Sequence, residues 1–163
     1  MRFSALLSAC IISALFIAGP TSSTIAMGSG GGGNESTQTS KSNPDLMAGK
    51  EAIDNKKWTE AIDRLTKAVA ADPKNADAFN YLGYAYRKSG NYDQAFANYK
   101  QALAINPDHR GAHEYMGEAY LEINDLASAQ KHLDALDRLC FFGCKEYSEL
   151  KDRIAAYKAK QSS

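Results

Sequence analysis

Residues 76–109 read ADAFNYLGYAYRKSGNYDQAFANYKQALAINPDH, and this stretch decides the fold because its key residues recur along the chain at one interval. Glycines stand at positions 49, 83 and 117, and alanines at positions 61, 95 and 129, so both sets have the same constant spacing. Pro73 and Pro107 keep the same interval. A fixed period of this length indicates a repeat protein in which each unit is one supersecondary motif. The chain therefore contains three phased copies of one unit.

The middle unit is predicted to be a pair of helices, Ala76–Ser89 and Tyr92–Ile105. Gly83 has no side chain, so the two helices can approach each other closely at that point. Asn106 precedes a proline and disfavours the α region, which ends the second helix. Because one such pair cannot cover its own apolar face, neighbouring pairs are expected to stack into a solenoid.

The signature of this middle unit resembles the tetratricopeptide repeat at nearly every position: Phe79, Leu82-Gly83, Tyr86, Ala95, Tyr99, Ala102 and Pro107. The resemblance covers about residues 42–141, in units of about 42–75, 76–109 and 110–141. It implies an all-α, right-handed superhelical solenoid of about three helix-turn-helix units.

A last helix is predicted over about residues 144–159. Its apolar residues Tyr147, Leu150, Ile154 and Tyr157 fall at intervals of three, four and three, which forms one helical stripe. The open end of a solenoid needs such a cover, so we interpret this helix as a cap rather than a functional surface. The repeat domain should then span residues 44–160 and contain seven helices.

The segment 1–26 is predicted to be a signal peptide. Arg2 precedes an uncharged and largely apolar run, residues 3–18, and small residues at positions 24 and 26 suit cleavage before Met27. The run is shorter than the roughly 20 residues that span a bilayer. A retained membrane anchor and a lipoprotein acylated at Cys10 are the alternatives. The chain thus resembles a small exported bacterial member of the family, periplasmic or secreted, with no membrane span after cleavage, and a eukaryotic secreted protein is the alternative.

Residues 27–43 are predicted to be a flexible, Gly/Ser-rich linker. From Gly28 to Asn43 there is no aromatic or aliphatic side chain, so the segment has little apolar surface to bury. Burial therefore cannot offset the conformational entropy that the segment would lose on folding.

The charge balance argues against nucleic acid as a partner. The chain has 19 Lys+Arg and 19 Asp+Glu, whereas nucleic-acid binding usually needs a clustered basic excess. Hydrophobic residues make up 44%, which is enough for a packed core.

Cys140 and Cys144 are predicted to form a structural disulfide. They stand where one helix should end and the cap begin, and an oxidising compartment favours the bond. A redox-active pair and a soft-metal site are the alternatives, although neither a two-residue spacing nor a third ligand is evident.

The sequence contains no pattern typical of an enzyme. The serines have no matched His and Asp, no carboxylate is expected in an apolar setting that raises its pKa, and His113 occupies a packing position rather than a metal site. We therefore predict no catalytic residues, no cofactor and no metal.

The resemblance implies that the first helix of each pair lines a concave face that binds a peptide or a partner protein. The predicted binding residues are Lys50, Asp54, Asn80, Tyr84, Arg87, Lys88, Glu114, Glu118 and Glu122, with Leu46 and Leu121 beside them. One subclass of the family grips a C-terminal carboxylate with basic and asparagine side chains. The corresponding positions here are Leu46, Lys50, Tyr81 and Met116 or its neighbours, and the third unit is mostly acidic. This favours a basic or mixed-charge ligand.

Three functions are compatible with these patterns. The leading one is an exported adaptor or scaffold that binds another protein on its concave face. The second is a thiol redox or metal-handling envelope protein that uses Cys140 and Cys144. The third is a self-assembling structural element that uses the convex faces and the cap.

Overall fold

Seven α-helices make up residues 43–162, the part of the chain that the computed structural model describes. Their bounds are α1 (Pro44–Asp54), α2 (Trp58–Ala71), α3 (Ala76–Lys88), α4 (Tyr92–Ile105), α5 (Arg110–Glu122), α6 (Leu126–Leu139) and α7 (Lys145–Gln161). The all-α class is confirmed, and the pair predicted at Ala76–Ser89 and Tyr92–Ile105 is correct to one residue. The predicted signal peptide and all of the predicted linker except Asn43 lie outside the described residues.

Polar side chains determine where most of these helices begin. Asn43, Asn75, Asn91 and Asp125 each accept a backbone N–H from the first turn of the following helix through a side-chain oxygen. These N–H groups have no partner within the helix, so each cap stabilises its helix by about 1 kcal/mol. Asn43 therefore belongs to the folded unit and not, as the composition of residues 27–43 predicted, to the linker.

The turn inside each unit uses the same left-handed backbone position. Lys56, Gly90 and Asn124 have φ values of 56°, 83° and 64°, and they recur at the same interval as the other repeat positions. Of these three positions, only the one in the middle unit is a glycine, which adopts this conformation at little cost. Lys56 and Asn124 adopt the same conformation in the first and third units, where they connect the two packed helices of the unit.

Close approach at the repeat glycines is also confirmed. A Cβ on Gly83 would lie 2.7 Å from ring carbons of Tyr99, and one on Gly49 would lie 2.5 Å from Cγ of Leu65. Both partners are fully buried on the second helix of the same unit. Because the glycine leaves no room for a side chain, the two helices of each of these first two units pack against each other directly.

The stacking of the units produces a concave inner face. Helices α1, α3 and α5 contact one another in succession, whereas α2, α4 and α6 make no contacts with each other in the described part. The first helices of the three units therefore lie closer together than the second helices do. This difference in spacing curves the solenoid toward the side of the first helices. The inner face is therefore formed by α1, α3 and α5.

The predicted cap helix is present as α7. Leu150 and Ile154 are buried against Leu133 and Leu136 of α6, and Tyr147 and Tyr157 pack at the edge of the same cluster. The apolar stripe that the sequence predicted thus covers the open end of the third unit. Within residues 43–162, no helix is both long and apolar enough to cross a bilayer.

A short loop, residues 140–144, connects α6 to α7. The Cys140 and Cys144 sulfurs are 2.06 Å apart and their Cα atoms 5.5 Å apart, within disulfide range. Gly143 turns the chain with φ of 82°, and its N–H donates to the Cys140 carbonyl at 2.7 Å.

Candidate functional site

A groove of about 470 Å³ lies between the inner helices α3 and α5 and the cap helix α7. Six of the nine predicted binding residues line this groove: Tyr84, Arg87, Lys88, Glu114, Glu118 and Glu122. The other three lie elsewhere, since Lys50 and Asp54 are exposed on α1 and Asn80 is buried on α3. The structure therefore concentrates the predicted face on the second and third units.

Five residues that the sequence analysis missed complete the lining, and four of them belong to the cap helix. They are Tyr115 on α5 and Glu149, Asp152, Arg153 and Ala156 on α7. On α7, Glu149 is three and four positions before Asp152 and Arg153, and Ala156 is four and three positions after them, so the four residues form one stripe beside the apolar one. That spacing could have predicted from the sequence that α7 has a second, polar face directed at a neighbouring helix. The helix is both a cap and one wall of the groove.

Arg87 lies at the centre of the groove lining and is almost fully buried, with 3% of its side chain exposed. Its Nη1 is 2.6 Å from a Glu118 carboxylate oxygen and 3.1 Å from one of Glu122. Its guanidinium carbon lies 5.2 Å from the centroid of the Tyr84 ring and 5.7 Å from that of Tyr115. A buried charge needs such partners, because desolvation without them costs several kcal/mol. Arg87 therefore ties α3 to α5 across two units.

Glu118 extends this network to the cap helix. One of its oxygens pairs with Arg87, and the other forms an ion pair with Arg153 on α7, 3.2 Å from its Nε. The ion pairs run from Glu122 through Arg87 and Glu118 to Arg153, and so connect α3, α5 and α7. Arg87 and Glu118 are buried because α7 covers the end of the inner row, whereas Arg153 and Glu122 keep 67% and 39% of their side chains exposed.

Glu114 and Glu149 form a second link between α5 and α7, this time between two carboxyl groups. Burial and a hydrogen bond with Glu149 raise the pKa of Glu114 to about 8. The same hydrogen bond, with Lys145 3.4 Å away, lowers the pKa of Glu149. At neutral pH the pair thus holds one proton, and the Glu114 carboxyl donates to the Glu149 carboxylate. The expectation that no carboxylate lies in an environment that raises its pKa was wrong, because α7 supplies that environment.

Aromatic side chains form a row beside the charged network. The Trp58 and Tyr84 rings meet edge to face with centroids 6.3 Å apart, and the Tyr84 and Tyr115 rings are 4.8 Å apart. Tyrosine rings offer apolar contact area together with a hydroxyl, and they lose little side-chain entropy on binding. The row therefore gives the groove a surface that can contact an extended peptide.

The groove lining contains more acidic side chains than basic ones. Its ionisable groups are three basic residues, Arg87, Lys88 and Arg153, and five acidic ones, Glu114, Glu118, Glu122, Glu149 and Asp152. With one proton shared between Glu114 and Glu149, the lining has a net charge of −1. The arrangement attracts cationic groups and repels strongly acidic ones.

A histidine pair lies outside the groove, between α5 and α6. The Nδ1 atoms of His113 and His132 are 3.0 Å apart, and His113 Nε2 is 2.9 Å from the Pro107 carbonyl oxygen. Since a carbonyl only accepts, His113 Nε2 carries a hydrogen, and neutral His113 accepts at Nδ1 from His132 Nδ1–H. Burial and the neighbouring His113 lower the pKa of His132 to about 4. His132 could not be predicted to contact His113, because the two belong to different helices and no local spacing connects them.

In the described part of the chain, no three His, Cys, Asp or Glu side chains are placed to hold a metal ion. His113 lies in the packed interface with His132, as its repeat position predicted.

The comparisons with known proteins agree with the repeat pattern. Two profiles described as tetratricopeptide repeat match the chain, one over residues 46–110 and the other over residues 86–139. No curated protein matches the sequence significantly.

Solved structures share the fold at low sequence identity. The first TPR of Spaghetti (RPAP3) bound to the HSP90 peptide SRMEEVD is 22% identical with a TM-score of 0.64, covering 74% of this chain and 92% of that one. The yeast Sti1 TPR2B domain in complex with an Hsp70 peptide is 22% identical with a TM-score of 0.65, covering 72% and 95%. PcrH in complex with the chaperone binding region of PopD is 20% identical with a TM-score of 0.63, covering 72% and 92%.

Proposed function

The chain belongs to the tetratricopeptide repeat family, and from this premise we propose that it is an exported adaptor or scaffold whose groove binds a segment of a partner protein. The observation that carries the proposal is the groove itself, in which a row of aromatic rings runs beside a net acidic lining on three helices. Structures of the same fold are solved with a bound peptide or with a binding region of another protein.

The proposed ligand is an extended segment with lysine or arginine side chains, of basic or mixed charge. Its cationic groups would meet the acidic side chains on α5 and α7, and its apolar groups would contact Tyr84 and Tyr115. A peptide such as SRMEEVD, which carries three acidic side chains, would face Glu114, Glu118 and Glu122 and be repelled. The ligand chemistry therefore differs from that of the HSP90-binding relative.

Binding of labelled model peptides, measured by fluorescence anisotropy, tests this proposal. A lysine-rich peptide with one aromatic residue should bind more tightly than SRMEEVD, and added salt should weaken its binding. Asp152→Lys places a cation on the exposed rim of the groove and should weaken binding about tenfold, while the buried Arg87 network stays intact. Asp137→Lys, an equal charge change on the outer helix α6, is the matched control and should leave the affinity unchanged. Equal affinity for basic and acidic peptides would contradict the proposed ligand class.

Export is the second part of the proposal, and it rests on the signal-like residues 1–26. An intact-mass measurement on protein from envelope extracts should give a chain that begins at or near Met27. A mass that includes residues 1–26 would mean a retained anchor, and a diacylglyceryl adduct on Cys10 would mean a lipoprotein.

A further inference from the structure

The loop between α6 and α7 exposes two phenylalanine side chains at its tip. Phe141 is 87% exposed and Phe142 is 97% exposed, and the two rings meet edge to face with centroids 5.1 Å apart. Large apolar side chains are rarely exposed to this degree side by side unless they bind something. We propose that this phenylalanine tip, Phe141 and Phe142, inserts into the interfacial region of a phospholipid bilayer.

The tip is held in place by the fold. Cys140 and Cys144 join its two ends with Cα atoms 5.5 Å apart, and the Gly143 N–H closes the turn onto the Cys140 carbonyl. The two rings therefore project from a closed loop, and few conformations are lost when they insert.

The size of the tip favours a bilayer over a protein surface. A stable protein–protein contact buries about 800 Å² on each partner, with an apolar centre and a hydrogen-bonding rim. Here the apolar surface consists of two side chains, and the other large hydrophobic residues exposed in the described part, Met47 and Ile123, belong to α1 and the end of α5. A bilayer interface needs no shaped pocket and accepts an isolated apolar projection.

The charges around the tip indicate which force drives binding. Asp137 and Arg138 precede the loop, and Lys145 and Glu146 follow it, so the flanking charge sums to zero. Glu146 also lies 3.9 Å from Arg110. Binding should therefore come from apolar transfer, with little dependence on anionic lipid or on salt.

The sequence outside the described residues also favours a bilayer as the partner of the phenylalanine tip. Residues 3–18 form the apolar run of the proposed export signal, which brings the protein to a membrane. While that segment is attached, residues 27–43 hold the domain within roughly 60 Å of the bilayer even when fully extended. The approach of the protein to a membrane rests on the proposed export, whereas binding of the tip to lipid is a property of the folded domain.

Co-sedimentation with phospholipid vesicles tests the proposal, with the processed protein purified from cell envelopes. Wild type should bind vesicles of phosphatidylcholine alone as well as vesicles that also contain phosphatidylglycerol. Phe141→Ser/Phe142→Ser should lower the partition coefficient about tenfold or more on both, with unchanged circular dichroism and Tm. Met47→Ser, which removes an exposed hydrophobic residue on α1, is the matched control and should have no effect.

A Phe142→Trp variant reports insertion directly. Its emission should shift to the blue and be quenched by brominated lipids, whereas wild type, whose one tryptophan is Trp58 near the groove, should show neither change. The proposal is overturned if wild type does not bind, if the double serine variant binds equally, or if binding requires anionic lipid and disappears in salt. It is also overturned if the serine changes alter only self-association in sedimentation. Failure here would leave peptide binding in the groove unaffected, so the two proposals are judged separately.

Discussion

Gly117 on α5 lies directly against Leu150 on α7, so that a Cβ added to the glycine would be 2.6 Å from a Leu150 methyl carbon. In the first two units the corresponding glycine faces a residue of its own second helix. In the third unit it faces the cap. This contact brings α7 onto the inner row of helices, and it is why the cap contributes to the groove and to the buried network of Glu118 and Arg153.

Gly83→Ala should destabilise the protein by about 2 kcal/mol, and Gly83→Leu by more, through overpacking. The added Cβ would meet the fully buried Tyr99 ring at 2.7 Å and the Ala95 carbonyl oxygen at 3.1 Å. Gly111→Ala is the control, since its Cβ would meet mainly the Asn80 amide at 3.2 Å. Thermal unfolding measures the difference. Equal Tm values for the two alanine variants would show that the Gly83 crossing can relax.

Lys56→Gly should stabilise the protein by about 0.5–1 kcal/mol. Lys56 has φ of 56°, a left-handed conformation that costs an L-residue energy and glycine almost none. Gly90→Ala at the equivalent turn should destabilise by a similar amount, because a Cβ there meets no neighbouring atom within 4 Å and only the backbone conformation is strained. Urea unfolding of both variants provides the measurement, and changes of the same sign would contradict the argument.

The His113–His132 pair should make the protein sensitive to acid. The pKa of His132 is 6.5 unfolded and about 4 folded, so stability present above pH 6.5 is lost as pH falls toward 4. Between about pH 7.5 and about pH 5 the loss should be roughly 2 kcal/mol. Comparison with His132→Gln isolates this effect, since the advantage of wild type over the variant should shrink with acidity. A difference that stays constant with pH would exclude His132 as its source.

Glu114→Gln should stabilise the protein most at alkaline pH. The pKa of Glu114 is raised from 4.5 to about 8, so its stabilising contribution is fully present below 4.5 and is lost as pH rises through 8. Glutamine stays neutral throughout and can still donate to Glu149. The Tm of the variant should therefore exceed that of wild type by an amount that grows with pH. Glu51→Gln on the exposed side of α1 should show no such trend, and a trend in both variants would remove the special role of Glu114.

Replacing both Cys140 and Cys144 by serine separates a structural bond from redox chemistry. The exported protein should contain no free thiol, and the double variant should lose about 2 kcal/mol because the closed loop is short. Peptide binding should survive, since the groove residues lie on helices outside this loop. Thiol counting under native conditions and melting curves test both points. Two accessible thiols in the exported protein, with an unchanged Tm in the variant, would instead support the redox or metal-handling function.

The sequence by itself determined the repeat, the helix bounds and the apolar face of the cap. Each of these depends on local spacing, such as the constant interval from Gly49 to Gly83 to Gly117 or the stripe of Leu150 and Ile154, and such spacing reports which side of a helix is buried. The helix pair of the middle unit could therefore be predicted almost to its last residue.

Only the tertiary structure decided which charged residues of the inner face are desolvated. In the sequence, Glu114 and Glu118 belong to an acidic stripe that suits a solvated helix, and Arg87 belongs to the preceding unit. They become buried because α7 covers the end of the inner row, which depends on how one unit is rotated onto the next and on where the cap comes to lie. Distances between residues of different units follow from that rotation, and so do the Arg87–Glu118 ion pair, the proton shared by Glu114 and Glu149, and the contact of His113 with His132.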